Sequence, residues 1–181
     1  VHIGNDANCF ALSEATDGSA AGAKLVFGVI LGTGVGGAIV VNGQIVTGAN
    51  AIAGEWGHNP LPWRTPEDGA ETMCGCGQTG CIETWLNGAA LSRDYQALSG
   101  SEAKAKDISR LAEENDAAAT QAISQYAERL ARALASAINF FDPDIIVLGG
   151  GLSEISGLYD QVPELWGRHT STKPAATRLR S

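Results

Sequence analysis

Positive charge is scarce in this chain and nowhere concentrated. Its 181 residues carry 12 Lys and Arg against 20 Asp and Glu, for a net charge of −8 and a pI near 4.8. A surface that tracks nucleic-acid phosphates needs clustered cations. The sequence has none before the short, irregular Arg168–Arg180 stretch, so nucleic acid is not expected as a partner. An anionic ligand must then be held by backbone amides, helix N-termini or a metal. Long apolar runs are also missing. The longest, such as Leu25–Leu31, are too short to span a bilayer, and no membrane partner is expected. No signal-peptide pattern opens the chain, and there is no internal repeat or low-complexity segment. The first residue is Val1, in what reads as the end of a strand, so a piece of a longer protein is expected.

The apolar fraction is 44% with a mean hydropathy near zero, enough for one α/β core with a small metal-stapled insertion. Val1–Ile3 reads as a strand end, and Asn5 or Asp6 can N-cap a helix through Ala15. Leu25–Leu31 and Ala38–Val41 read as strands. Asn42-Gly43 is a strong hairpin signal, with Gln44–Thr47 returning. Gly48–Pro66 is a long irregular stretch, usually a sign of function in a compact domain. Helices are expected over Ile82–Leu98 and Lys106–Asn115. A helix from about Asp116 carries a 3.6-residue stripe of Ile123, Tyr126, Ala127, Leu130, Leu134, Ile138 and Phe141. Asp142-Pro143-Asp144 stops it, and Ile145–Leu148 is a buried strand. Ser153 is the expected cap of another helix, and Thr177–Arg180 a last strand.

Three groups of residues carry chemistry. Gly32-Thr33-Gly34-Val35-Gly36-Gly37 satisfies G-x-G-x-x-G, but a strand and hairpin follow where the dinucleotide fingerprint needs a helix. The turn can still present amides to a phosphate, with the Thr33 hydroxyl as a further donor; the plain alternative is a tight hairpin without a ligand. Gly149-Gly150-Gly151 follows a buried strand, where open α/β sheets bind ligands, although three glycines there can equally be just a turn. Asp6 sits at a strand-to-helix junction, as an ordinary cap or as a carboxylate that takes a proton from a substrate hydroxyl.

Four cysteines would allow two disulfides. Instead, Cys74, Cys76 and Cys81 crowd into eight residues among glycines, with His58 upstream. Three thiols and one imidazole have the ligand number and types of a closed, structural zinc site. A histidine on zinc has its other N–H fixed in direction, so His58 can also face a polar pocket, with Glu55 and Glu83 brought in from either side. Cys9 is expected to be a buried thiol; His2 and His169 receive no role.

The sequence resembles the ROK (repressor, open reading frame, kinase) family of bacterial sugar kinases and repressors. The matching segments are Asn5-Asp6-Ala7-Asn8, Leu31–Gly37, Gly54-Glu55-Trp56-Gly57-His58, Cys74–Glu83 and Asp142–Gly151, in the family's order. Gly54–Trp63 is most similar to the family's fructokinases. The resemblance implies an actin-like, ribonuclease H-like α/β fold: a mixed sheet with flanking helices and a zinc-binding insertion at about 54–84. It implies a fructokinase-like transfer of the ATP γ-phosphate, with Mg2+, to the 6-hydroxyl of fructose, mannose or glucose. Asp6 would be the base, while Asn5, Glu55, His58 and Glu83 would bind sugar hydroxyls. Gly32, Thr33 and Gly34 would contact ATP phosphates, and Gly149, Gly150 and Gly151 the adenosine side. His58, Cys74, Cys76 and Cys81 would hold structural Zn2+. The family is cytoplasmic and commonly homodimeric.

Family members are about twice as long, which fits two α/β domains. Their Asp-x-Gly-Gly-Thr phosphate segment and final Arg-Gly-Ala-Ala helix are not in this sequence. Residues 1–181 are therefore expected to be a C-terminal domain with negligible kinase activity alone. A sugar-responsive repressor of the same family and a zinc-stapled interaction module are the competing expectations.

Overall fold

The computed structural model describes residues 5–172, 174 and 176–181; the expected strand end at Val1–Ile3 lies outside them. Five strands form one mixed sheet in the order β3-β2-β1-β4-β5. They are β1 (Leu25–Leu31), β2 (Val35–Val41), β3 (Gln44–Ile45), β4 (Ile145–Gly149) and β5 (Arg178–Arg180). β1, β2 and β3 make an antiparallel unit, while β4 pairs parallel with β1 and with β5. Asn42 (φ 50°) and Gly43 (φ 75°) make the β2–β3 turn, the left-handed pair that an Asn-Gly hairpin requires. β2 begins at Val35, three residues earlier than expected, because the glycines pair in register with β1 rather than looping out.

Alternation along the strands feeds two cores. Phe27, Val29 and Leu31 of β1, with Ile146 and Leu148 of β4, join the larger cluster. That side is covered by α3 (Gly88–Ser99), α4 (Ala105–Glu113), α5 (Ala117–Phe141) and α6 (Leu158–Trp166). The 25-residue α5 is capped by Asp116, whose carboxylate accepts from the Ala119 N–H, and it buries the expected stripe from Ile123 to Ile138, with Phe141 half-buried at its end. On the other face Val26, Ala38, Val40, Ile145 and Val147 pack under α1 (Asp6–Thr16).

α1 can approach the sheet closely because small residues meet there. A Cβ built on Gly28 would lie 2.5 Å from Ala11 Cβ, and one on Gly36 3.4 Å from Ala7 Cβ. Ala7 and Ala11 are one helical turn apart, so two strand glycines set both the depth and the direction of α1. The start of the helix is thereby aimed at the Gly32–Gly34 turn. Gly28→Ala should destabilise the protein by about 1–3 kcal/mol in chemical denaturation. The strand entropy it recovers, about 0.5–1 kcal/mol, is smaller than the overpacking cost.

Three expectations need correction. The helix expected over Ile82–Leu98 is two helices, α2 (Glu83–Leu86) and α3, broken at Asn87, whose side chain caps α3 through the Ala90 N–H. Ser153 does not cap a helix: it lies inside a 3₁₀ turn (Gly151–Glu154) with its hydroxyl on the Gly150 carbonyl, and α6 follows Gly157. Cys9 is exposed, since α1 buries only Ala7 and Ala11 and Cys9 is off that narrow face. No helix among the described residues is long and apolar enough to cross a membrane.

Candidate functional site

Asn5 settles which residue caps α1. Its Oδ1 accepts from the Ala7 and Asn8 N–H groups at 2.8 and 3.2 Å, so Asp6 is the first helical residue. The Asp6 carboxylate stays exposed, and its Oδ1 accepts from the Ala7 N–H at 2.8 Å. Across from it stands the turn joining β1 to β2, closed by the Gly32 N–H on the Gly34 carbonyl at 3.0 Å.

The loop bearing Glu55 and His58 is held against β2 by glycine on both sides. A Cβ on Gly37 would meet the Trp56 ring at 2.6 Å, and one on Gly57 the Val35 carbonyl oxygen at 2.1 Å. The Trp56 indole N–H donates to the Gly36 carbonyl at 3.1 Å. This packing turns Glu55 and His58 toward the glycine turn. Asn5, Asp6, Gly32, Thr33, Gly34, Glu55, His58 and Glu83 consequently line a single cleft of about 400 Å³. Every sugar-side residue expected from the sequence borders it.

Behind that cleft lies the cysteine knuckle. Residues 59–61 run beside 80–82, with the Leu61 N–H on the Gly80 carbonyl and the Ile82 N–H on the Asn59 carbonyl, which brings His58 to Cys81. One ligand atom from each of His58, Cys74, Cys76 and Cys81 lies within 4.8 Å of every other. Cys74 Sγ is 3.5 Å from His58 Nδ1, and Cys76 Sγ is 3.6 Å from Cys81 Sγ. Tetrahedral Zn–S bonds of about 2.3 Å would set sulfur atoms roughly 3.8 Å apart, so the donor set fits zinc. Burial and the neighbouring thiols push Cys81 up to about 12. Cys76 is shifted the other way, lowered by a backbone hydrogen bond from Gln78, and a cation is what would let Cys81 ionise beside the other two thiols. With Nδ1 facing the thiols, the Nε2 end of His58 is left for the cleft.

A second cleft of about 440 Å³ adjoins the other side of the turn, lined by Gly32, Thr33, Gly88, Ser92, Lys104, Lys106 and Gly151 among others. Lys104 and Lys106, at the start of α4, were not singled out in the sequence. Two isolated lysines in an acidic chain give no pattern until α4 is folded beside the turn. Gly149 and Gly150 serve close packing. A Cβ on Gly149 would meet the Phe10 ring at 2.7 Å, and one on Gly150 (φ 84°) the Leu31 carbonyl oxygen at 2.4 Å. Of the three glycines, only Gly151 lines the cleft.

A mixed sheet with helices on both faces, and a glycine turn at its rim facing a helix start, is the architecture of actin-like ATPase domains of the kind found in ROK kinases. The chain belongs to the ROK family, whose family model matches residues 1–180. It is 41% identical over 183 residues to the N-acetyl-D-glucosamine kinase of Aliivibrio salmonicida (strain LFI1238), covering 99% of this chain and 61% of that protein. A ROK family glucokinase from Streptomyces griseus, solved with glucose and AMPPNP, matches with a TM-score of 0.83 and 30% identity over 98% of this chain and 62% of that one. A ROK family transcriptional regulator, a homologue of the E. coli MLC protein, gives a TM-score of 0.83 at 25% identity, covering 97% of this chain and 46% of that one. The chain spans about 60% of the length of the curated relatives it matches.

Proposed function

We propose that residues 1–181 are the C-terminal domain of an ATP-dependent hexose kinase that transfers the γ-phosphate of Mg-ATP to a sugar 6-hydroxyl. The observation that carries this reading is the convergence of Asp6, Asn5, Glu55, His58 and Glu83 on one cleft rimmed by the Gly32–Gly34 turn. In the reaction, the sugar oxygen bonds to the γ-phosphorus as its proton passes to the Asp6 carboxylate, and ADP leaves with the electrons of the broken P–O bond. Asn5, Glu55, Glu83 and the His58 Nε2 end orient the sugar hydroxyls. Backbone amides of the glycine turn face the phosphates, and Gly151 borders the adenosine side. Zinc on His58, Cys74, Cys76 and Cys81 would supply rigidity, fixing the tautomer and direction of His58.

Two acceptors each have support. The Gly54–Trp63 segment favours fructose, and 41% identity to an N-acetyl-D-glucosamine kinase over 99% of this chain favours that amino sugar. The test is ADP release by the full-length protein with Mg-ATP and a panel of fructose, mannose, glucose and N-acetyl-D-glucosamine. Turnover with one of them is the expected result; none with any would overturn the kinase reading in favour of a sugar-responsive regulator, the reading favoured by the match to the transcriptional regulator.

The second cleft adds a prediction. Lys104 and Lys106 border the second cleft, beside the turn. Replacing both with alanine should raise the KM for ATP by about two- to thirtyfold, on the scale of 0.2–1 kcal/mol for each exposed charge pair, and leave kcat and the sugar KM unchanged. The effect should shrink as salt is added.

A further inference from the structure

We propose that Glu83 is a positioning residue through which the cysteine knuckle holds the glycine turn between β1 and β2; the meaning of that turn as a phosphate site rests on the kinase reading above. Glu83 opens α2, two residues after Cys81. Its Oε2 accepts the Val35 N–H at 3.0 Å, a contact made across 48 residues of sequence. Val35 is the first residue of β2 and pairs with Leu31 across the turn. The same oxygen lies over Gly34, where an added Cβ would sit 2.7 Å from it. The other carboxylate oxygen, Oε1, is 3.6 Å from Cys74 Sγ. One side chain thus reaches from the edge of the knuckle, two residues after Cys81, to the backbone of the turn.

A second tie comes from the far end of the same short segment. The Gly88 N–H, just past α2, donates to the Gly32 carbonyl at 2.9 Å. Residues 83–88 therefore grip the turn on both sides, at Val35 and at Gly32. A glycine turn is conformationally permissive, and amides serve an anion well only when their directions are fixed beforehand. The Glu83 and Gly88 contacts supply that fixation, and the knuckle sets the start of α2. A metal bound behind the sugar side would in this way also order the phosphate side.

The test is amide hydrogen exchange, read by NMR on the zinc-loaded chain and on its Glu83 variants. The Val35 N–H should exchange at least about tenfold faster in Glu83→Ala, and in the unmutated chain after chelation of zinc, while Val26, Phe27 and Val29 of β1 keep their protection. Glu83→Gln retains an acceptor at the same reach and should keep Val35 slow, whereas Glu83→Asp, shorter by one methylene, should not. This Gln–Asp comparison decides the matter even where the alanine variant loses the fold. Equal Val35 exchange in Gln and Asp, or full Val35 protection after zinc is removed, overturns the proposal. Binding of a non-hydrolysable ATP analogue with Mg2+, measured without sugar, is a separate arm. Faster Val35 exchange should accompany weaker nucleotide binding. If exchange follows the proposed order and the unmutated full-length protein binds no nucleotide, the positioning role stands and the phosphate reading fails.

Discussion

In the full-length kinase proposed above, Asp6→Asn lowers kcat by about 10²–10⁴-fold, the range expected for loss of a general base, with little change in sugar affinity. The asparagine side chain keeps an oxygen of the same reach for the Ala7 N–H that Asp6 Oδ1 now accepts. The helix cap is untouched because it belongs to Asn5. What the variant removes is a proton acceptor and one negative charge at a helix N-terminus. If that charge served only the helix dipole, the loss would be about 0.3–1 kcal/mol of stability, with turnover intact. The two roles thus differ by orders of magnitude in kcat. Steady-state kinetics together with calorimetric sugar titration separate them. A variant with unchanged kcat would remove Asp6 from the reaction, and one with unchanged kcat but weaker sugar binding would make it a sugar ligand.

Such a contrast was legible in the sequence only as an open choice between cap and base, because Asn5 and Asp6 are both good caps and spacing cannot rank them. The strongly patterned elements were legible outright. β1 spans Leu25–Leu31 as expected, the Asn42-Gly43 turn is where the dipeptide places it, and α5 buries its stripe. The cluster of His58 with three cysteines followed from residue type and spacing. What escaped the sequence depends on tertiary fit. Gly28 and Gly36 read as ordinary strand glycines until α1 is laid across them with Ala7 and Ala11. Asn87-Gly88 did carry a local cap signal inside Ile82–Leu98, but the apolar residues around it hid the break. Lys104 and Lys106 lie far in sequence from the turn they flank. The buried arginines of α5 were the largest omission, since a charged residue within a helical stripe ordinarily reads as a solvent-facing position.

Those arginines lead to the largest expected loss of stability, on Asp68→Ala. Arg129 and Arg132 are 2% and 3% exposed, and both reach Asp68 in the 3₁₀ turn Pro66–Asp68. Asp68 Oδ1 accepts from Arg129 Nε at 3.1 Å, and Oδ2 accepts from Arg132 Nη1 at 2.9 Å and from the Thr65 N–H at 2.8 Å. Arg129 also pairs with Asp94. Arg129 and Arg64 further place their guanidinium carbons 5.4 and 5.0 Å from the Trp85 ring centroid. Removing the one carboxylate shared by two buried cations leaves them undercompensated, at a cost of about 3–5 kcal/mol. That is a large part of a typical domain's 5–15 kcal/mol. Pairing Asp68→Ala with Arg132→Met removes charge from both sides, so the double variant should be more stable than the sum of the singles predicts. Acid gives an independent check with a defined sign. Burial pushes the Asp68 carboxyl up, but hydrogen bonds from Arg132 and Thr65 outweigh it and hold the group at about 2, below the ordinary 3.8. A carboxylate lowered in this way stabilises the fold above about pH 4, and the contribution, on the order of 2 kcal/mol, disappears as the pH falls through 2. Urea unfolding of the unmutated protein should show that loss, and Asp68→Asn should flatten it. Since Asp68 pins the segment that runs on to Cys74, Asp68→Ala should also weaken zinc retention in a chelator competition. Loss of stability with unchanged zinc retention would mean that the ion cluster supports only the helical face, and that the metal knuckle stands independently of it.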